Sequence, residues 1–203
     1  MKILTIDLET GGKTPGVHGI TEIGACIAAL TGLSSNAELN VVAAKSWLVS
    51  PIEGMQYESE ALAVQGMTLD VLRVKGVPLT SAINSLRQLV KSTFGDHWQA
   101  VPWAHNADFD HAFLMDAVQR TNTMKPFGHT MLCSREFMMG LRYAGLPQSS
   151  SASLDCVMDV LGVKLPEAER HTGVGDAKAL AVCVAKMLRW VSCKDFDVKV
   201  VQS

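Results

Sequence analysis

The 203-residue chain has no long uninterrupted apolar run and no paired cysteine motif. A membrane helix needs roughly 18 consecutive apolar residues, so the sequence predicts no membrane span. Asp7 and Glu9 interrupt the apolar stretch at the amino terminus, which argues against a secretory signal. The five cysteines are odd in number and form no CxxC motif, which argues against a disulfide framework and a zinc site. We therefore expect a cytoplasmic protein without membrane contacts, with reduced thiols in its core.

The chain also lacks a strong net charge. Its formal charge is -2 at pH 7 and its isoelectric point is about 6.3, so it has no general basic field of the kind that dominates non-specific nucleic-acid binding. Any nucleic-acid contact must be local, or helped by a metal or a partner. The length and the 48% hydrophobic content fit one α/β domain, which we expect over residues 1–192, with a short carboxy-terminal tail over 193–203.

The apolar pattern predicts strands first and helices afterwards. Three strands are predicted at residues 3–9, 21–30 and 41–49, as an antiparallel meander, and a fourth at 98–104 with Pro102 at a strand end. Helices are predicted at residues 67–73, 80–94, from 107 onward, 131–142, 153–161 and 175–191. This order predicts an α/β fold with a mixed sheet flanked by helices.

The stretch IDLETGG places two carboxylates, Asp7 and Glu9, in an otherwise apolar strand. Residues i and i+2 of a strand project from the same face, about 7 Å apart. Neighbouring buried anions are costly unless a cation or hydrogen bonds compensate them. The pair therefore indicates either a site for a positive partner or the exposed end of a strand.

Two later stretches offer further partners: AHNADFDHAFL at residues 104–114, with Asp108 and Asp110, and RHTGVGDA at 170–177, with His171 and Asp176. Four converging acids suit two Mg²⁺ or Mn²⁺ ions that support phosphodiester hydrolysis, and a histidine can accept the proton of the attacking water. The acids are equally compatible with the first turns of helices, which favour negative charge, and a lone histidine with a surface position. Spacing alone leaves the choice between Asp108 and Asp110 open.

In this order, IDLET, HNADFDHAFL and RHTGVGDA resemble the three motifs of the DnaQ-like 3′–5′ exonuclease superfamily, in its DEDDh branch, over about residues 3–190. The resemblance implies an RNase H-like mixed five-stranded sheet flanked by helices, with the fifth strand near residues 127–132. It also implies a metal-dependent 3′–5′ exonuclease that uses two Mg²⁺ or Mn²⁺ ions and releases nucleoside 5′-monophosphates.

Matched to those motifs position by position, the resemblance implies a role for eight residues. His171 corresponds to the general base, and the metal ligands correspond to Asp7, Glu9, Asp110 and Asp176, so that Asp110 is chosen over Asp108. Contacts to the terminal nucleotide are implied for Thr10 and Gly11, and a place near the scissile phosphate for Asn106.

The layout is similar to small DNA exonucleases of the exonuclease X or polymerase III epsilon-like type, which favours single-stranded DNA 3′ ends as substrate and replication or repair proteins as partners. Two alternatives stay open: an exoribonuclease of the RNase T or oligoribonuclease type, and a catalytically weak polymerase-associated binding module. Gly173 and Gly175 depart from the bulkier residues of the family. Because glycine costs about 1 kcal/mol relative to alanine inside a helix, we interpret them as a sign that the His171 segment is mobile.

Overall fold

A mixed sheet of five strands forms the centre of the computed structural model, which describes residues 1–34, 36–95, 100–146 and 151–192. The sheet has the order β3-β2-β1-β4-β5. Its strands are β1 (Lys2–Thr10), β2 (Ile20–Leu30), β3 (Leu39–Leu48), β4 (Pro102–Ala104) and β5 (Leu132–Cys133). The first three strands pair in antiparallel fashion, whereas β4 is parallel to β1 and β5 is parallel to β4. The predicted mixed sheet and its antiparallel meander are confirmed.

Seven α-helices lie in the described ranges and cover the sheet. They are α1 (Ser59–Val64), α2 (Leu69–Lys75), α3 (Leu79–Phe94), α4 (Ala107–Thr121), α5 (Ser134–Tyr143), α6 (Leu154–Leu161) and α7 (Gly173–Ser192), and a short 3₁₀ helix occupies Glu167–Glu169. Among these residues no helix combines the length and the apolar character that a membrane crossing requires.

The two faces of β1 pack against different helices. Leu4, Ile6 and Leu8 belong to a core that also contains buried side chains of α3 and α4. The opposite face carries Ile3, which packs with α5, α6 and α7, and Thr5, whose hydroxyl donates to the Ala177 carbonyl of α7 at 2.6 Å. Since side chains alternate along a strand, the face that holds Thr5 also carries Asp7 and Glu9, towards the beginning of α7.

Two details of the predicted element pattern differ from the structure. The fifth strand covers Leu132–Cys133, so it begins only at the last residue of the stretch 127–132 near which it was predicted. The apolar signal came from Phe127, which is fully buried in the core but lies outside any strand. Helix α1 was not predicted, because its six residues bury one side chain, Leu62, and show no apolar stripe. Residues 98 and 99 of the predicted fourth strand and the predicted tail at 193–203 lie outside the described residues.

Candidate active site

Asp7 and Glu9 lie at the carboxyl end of β1, opposite Gly24 and Glu22 of β2. Gly24 has no side chain, and the backbone of Gly173 lies where its Cβ atom would stand. The beginning of α7 therefore approaches the sheet at the level of Asp7. This approach brings Asp176, in the first turn of α7, to the two strand carboxylates.

Three of the predicted metal ligands come together in space. Asp7, Glu9 and Asp176 each offer a carboxylate oxygen, and these oxygens all lie within 4.8 Å of one another. Asp110, in the first turn of α4, is 3% exposed, and its Oδ1 accepts a hydrogen bond of 3.0 Å from the Leu8 backbone N–H. All four acids line one cavity of about 290 Å³, whereas Asp108 is exposed and lines a different cavity.

The carboxyls of this cavity have strongly perturbed acidities. Burial raises the pKa of Asp7 well above its usual range, and the charges of Asp110, Glu9 and Asp176 raise it further. Burial, followed by the charge of Asp176, raises the pKa of Glu9 to about 8. Burial also raises the pKa of Asp110 to about 8, although its hydrogen bond from Leu8 opposes the rise. Such a group of acids favours a bound cation, because a cation relieves both the repulsion and the loss of hydration.

His171 lies at the mouth of the same cavity and is exposed. Its φ of 53° falls in the left-handed region, which is strained for a residue other than glycine and is often found at functional sites. The preceding Arg170 pairs with Asp155 at 2.6 Å. The following Thr172 donates to the Glu169 carbonyl at 2.7 Å and accepts from the Gly175 N–H at 3.1 Å. Contacts on both sides therefore hold the backbone of His171.

The two glycines after His171 fulfil a packing requirement. A Cβ atom on Gly175 would collide with the Glu169 carbonyl oxygen, and one on Gly173 would lie 2.9 Å from the Gly24 nitrogen. Both glycines lie within α7, which begins at Gly173, two residues earlier than predicted. Close packing thus explains why these positions lack side chains, and the mobility of the His171 segment stays a prediction.

Thr10, Gly11 and Asn106 lie outside the lining of the acidic cavity. The Gly11 N–H donates to the Gly19 carbonyl at 2.8 Å, and its carbonyl accepts from Glu58 at 2.7 Å. The Thr10 carbonyl accepts from the Gln65 side chain at 2.7 Å. A nucleotide could use these backbone groups only by exchanging the bonds that they already make. The three predicted substrate contacts remain predictions.

Three residues near the site were not singled out from the sequence. Glu22 is 6% exposed and its charge raises the pKa of Asp7 and of Glu9. His105 and Asp155 line the acidic cavity. The His105 ring is held between the Ser134 hydroxyl at 3.0 Å and the Ala152 carbonyl at 2.7 Å. Glu22 offered a sequence signal, since it is a charge inside the apolar strand TEIGACIAAL, whereas the other two depend on long-range contacts.

Similar structures define the class of fold. The nuclease domain of 3′hExo, described as a DEDDh family member bound to rAMP, matches 98% of this chain and 97% of its own, with a TM-score of 0.74 and 18% identity. Exonuclease I matches 93% of this chain and 41% of its own, with a TM-score of 0.73 and 17% identity. At these identities the likeness concerns the fold, which is the RNase H-like fold of the DEDDh exonucleases.

Relatives in sequence extend the comparison. Ribonuclease T of Citrobacter koseri is 27% identical over 192 residues, 92% of this chain and 85% of the relative, and Ribonuclease T of Vibrio cholerae is 25% identical over 182 residues, 88% and 77% respectively. No protein-family model matches the chain. Together with the three ordered motifs and the fold, these relatives support the DnaQ-like 3′–5′ exonuclease superfamily, in its DEDDh branch, as the sequence predicted. The chain is therefore a 3′–5′ exonuclease.

Proposed function

We propose that this exonuclease removes nucleotides stepwise from single-stranded 3′ ends of DNA and releases nucleoside 5′-monophosphates. The observation that carries the proposal is the convergence of the Asp7, Glu9 and Asp176 carboxylates within 4.8 Å, with Asp110 buried beside them. A terminal phosphodiester carries negative charge, so this acidic cavity can receive it only with bound cations.

The donor set fits Mg²⁺ or Mn²⁺, which prefer carboxylate oxygens and retain open positions for water and phosphate oxygens. Asp7, Glu9, Asp110 and Asp176 would hold the ions, and four acids are more than a single Mg²⁺ usually takes. Two bound ions would supply activation of the attacking water and stabilisation of the leaving oxygen.

The chain's own residues supply the remaining steps. The His171 imidazole, at the mouth of the cavity, accepts the proton of the attacking water, and its exposure lets that proton pass on to solvent. Asp110, fixed by the Leu8 N–H, keeps its carboxylate in place while substrate enters. Phe109 and Leu154 belong to the apolar part of the lining, against which an unstacked base can pack.

RNA is the second candidate substrate. The relatives, which are matched over most of their length, carry the name Ribonuclease T. This name supports RNA, whereas the preference for DNA rests on the resemblance in layout. The choice depends on contacts to the 2′-hydroxyl. Replication or repair partners, two ions per site, a single domain over residues 1–192 and a cytoplasmic location stay predictions.

The test uses single-stranded DNA and RNA of the same sequence, labelled at either end, with Mg²⁺ or Mn²⁺. We expect a ladder that shortens from the 3′ end, loss of cleavage in Asp7→Ala, and a loss of about 100-fold or more in His171→Ala. Glu53→Ala removes an exposed carboxylate from a turn and serves as the control. If neither strand is shortened, or if both site variants cut as well as the control, the proposal fails and a binding module becomes the better explanation.

A further inference from the structure

We propose that Arg135 binds the internucleotide phosphate on the 5′ side of the scissile bond, in a polar cavity beside the acidic one. This inference rests on the proposed function. It assigns to the substrate strand a contact that lies outside the four acids and His171.

The polar cavity adjoins the acidic cavity. It has a volume of about 410 Å³ and is lined by His105, Asn106, Arg135, Ser151, Ala152 and Ser153. His105 lines both cavities, so a strand that leaves the acidic cavity on this side passes directly over the polar one. Hydroxyl, amide and guanidinium groups are the donors that commonly contact phosphate oxygens in nucleic-acid complexes.

The charge of Arg135 is available to a ligand. Its guanidinium Nη1 donates to the neutral Asn106 Oδ1 at 3.2 Å, and its side chain is exposed. In the part of the chain that the structure describes, Arg135 has no ion pair with a carboxylate. By contrast, the cations closest in sequence to the catalytic histidine are already paired: Arg170 with Asp155 at 2.6 Å, and Lys178 with Glu169 at 3.0 Å.

The sheet topology places Arg135 on the same edge of the sheet as the acids. Strands β1, β4 and β5 are parallel and adjacent, so their carboxyl ends share one edge of the sheet. Asp7 and Glu9 lie at the carboxyl end of β1, His105 follows β4, and Arg135 follows β5 by two residues. Two strand spacings amount to about 10 Å, a distance that an extended strand covers within a few phosphates. If the 3′ nucleotide lies on the Thr10 side, the 5′ part of the strand runs towards Arg135.

A local cation is needed at this place. The chain has a net charge of -2 and therefore no general attraction for a polyanion. The acidic cavity attracts metal ions but repels the rest of the phosphate backbone. An arginine fork matches phosphate geometry and forms strong charge-assisted hydrogen bonds, and Asn106 keeps its Nδ2 group as a second donor because its Oδ1 accepts from Arg135.

The test is a cycle that changes the arginine and the phosphate separately. The substrate is a trinucleotide, in which the linkage at the 3′ end is the scissile bond. It is compared with the same trinucleotide in which the other linkage, on the 5′ side, is a neutral methylphosphonate. For the wild type we expect the methylphosphonate to raise KM about 10-fold, with a smaller change in kcat. Arg135→Gln should raise KM for the charged strand to a similar extent and should show little further penalty from the methylphosphonate. Arg135→Lys keeps the positive charge but loses the planar guanidinium group, so its KM for the charged strand should lie between those of the wild type and Arg135→Gln.

The control is Arg73→Gln, which removes an exposed arginine that lines neither cavity; it should retain the full methylphosphonate penalty. The proposal is overturned if Arg135→Gln also retains that penalty. It is equally overturned if the variant weakens inhibition by inorganic phosphate while leaving KM for the charged strand unchanged, because Arg135 would then hold a free phosphate.

Failure of the proposed function can be recognised separately. Hydrolysis of the p-nitrophenyl ester of thymidine 5′-monophosphate, which has no upstream phosphate, measures the wild-type chemistry alone. If the wild type does not hydrolyse this ester or any strand, the proposed function is wrong. In that case the affinities of the wild type and of Arg135→Gln for the two fluorescently labelled trinucleotides are measured in Ca²⁺. If the methylphosphonate weakens binding to the wild type but not to Arg135→Gln, the phosphate contact is supported. If it weakens binding to both proteins equally, the phosphate contact is refuted.

Discussion

Removing the charge of Glu9 should stabilise the metal-free protein. Burial and the charges of Asp176, Glu22 and Asp110 raise the pKa of Glu9 from 4.5 to about 8. Each pH unit above the unfolded-state pKa then costs the folded state about 1.4 kcal/mol, until the pH reaches the folded-state pKa. At pH 7 the cost is about 3 kcal/mol. Because neighbouring acids share the repulsion, we expect Glu9→Gln to raise the free energy of unfolding by about 1 to 3 kcal/mol.

The pH dependence identifies the cause. An acid whose folded-state pKa is raised contributes full stability below its unfolded-state pKa, and this contribution is lost as the pH rises through the folded-state pKa. The gain from Glu9→Gln should therefore be small near pH 4.5, should grow up to about pH 8, and should then level off. The measurement is urea denaturation followed by circular dichroism in EDTA at several pH values.

Two comparisons make this prediction refutable. Glu53→Gln removes the same charge from an exposed turn and should show no such pH profile. Saturating Mg²⁺ or Mn²⁺ should stabilise the wild type, by about 2.7 kcal/mol at a hundred times the dissociation constant, and should stabilise Glu9→Gln less. A gain that is independent of pH, or a wild-type stability that Mg²⁺ and Mn²⁺ leave unchanged, would show that these carboxyls do not repel one another as described.

Two further substitutions test the segment that carries His171. Gly173→Ala places a methyl group 2.9 Å from the Gly24 nitrogen and should lower the free energy of unfolding by about 1 to 3 kcal/mol. Its control, Gly140→Ala, lies on α5 with open space around it and should be neutral or slightly stabilising. Equal effects of the two variants in urea denaturation would contradict the close packing of Gly173 against Gly24. Asp155→Asn breaks the 2.6 Å ion pair with Arg170, which precedes His171, and should lower kcat several-fold more than it raises KM. A higher KM with an unchanged kcat would show that the pair does not position His171.

Local patterns were sufficient for the elements that carry the predicted site. The strand with Asp7 and Glu9 and the helix with Asp176 have apolar patterns long enough to predict them, and both were found within two residues of their predicted ends. The choice between Asp108 and Asp110 needed the family motif, because both acids lie in the first turn of α4. The contact between Gly24 and Gly173 joins residues far apart in sequence, so no local pattern could reveal it.

The shortness of β4 explains why Asp110 reaches the site. β4 pairs with β1 only at Leu4 and Thr5, and it ends at Ala104. Beyond that point β1 loses its neighbour on this side, and the Leu8 N–H donates to the Asp110 carboxylate at 3.0 Å instead of to a strand. A buried backbone N–H needs an acceptor, and this acceptor also faces the cavity of Asp7 and Glu9. A strand that ends early thus both opens the cavity and places its fourth carboxylate.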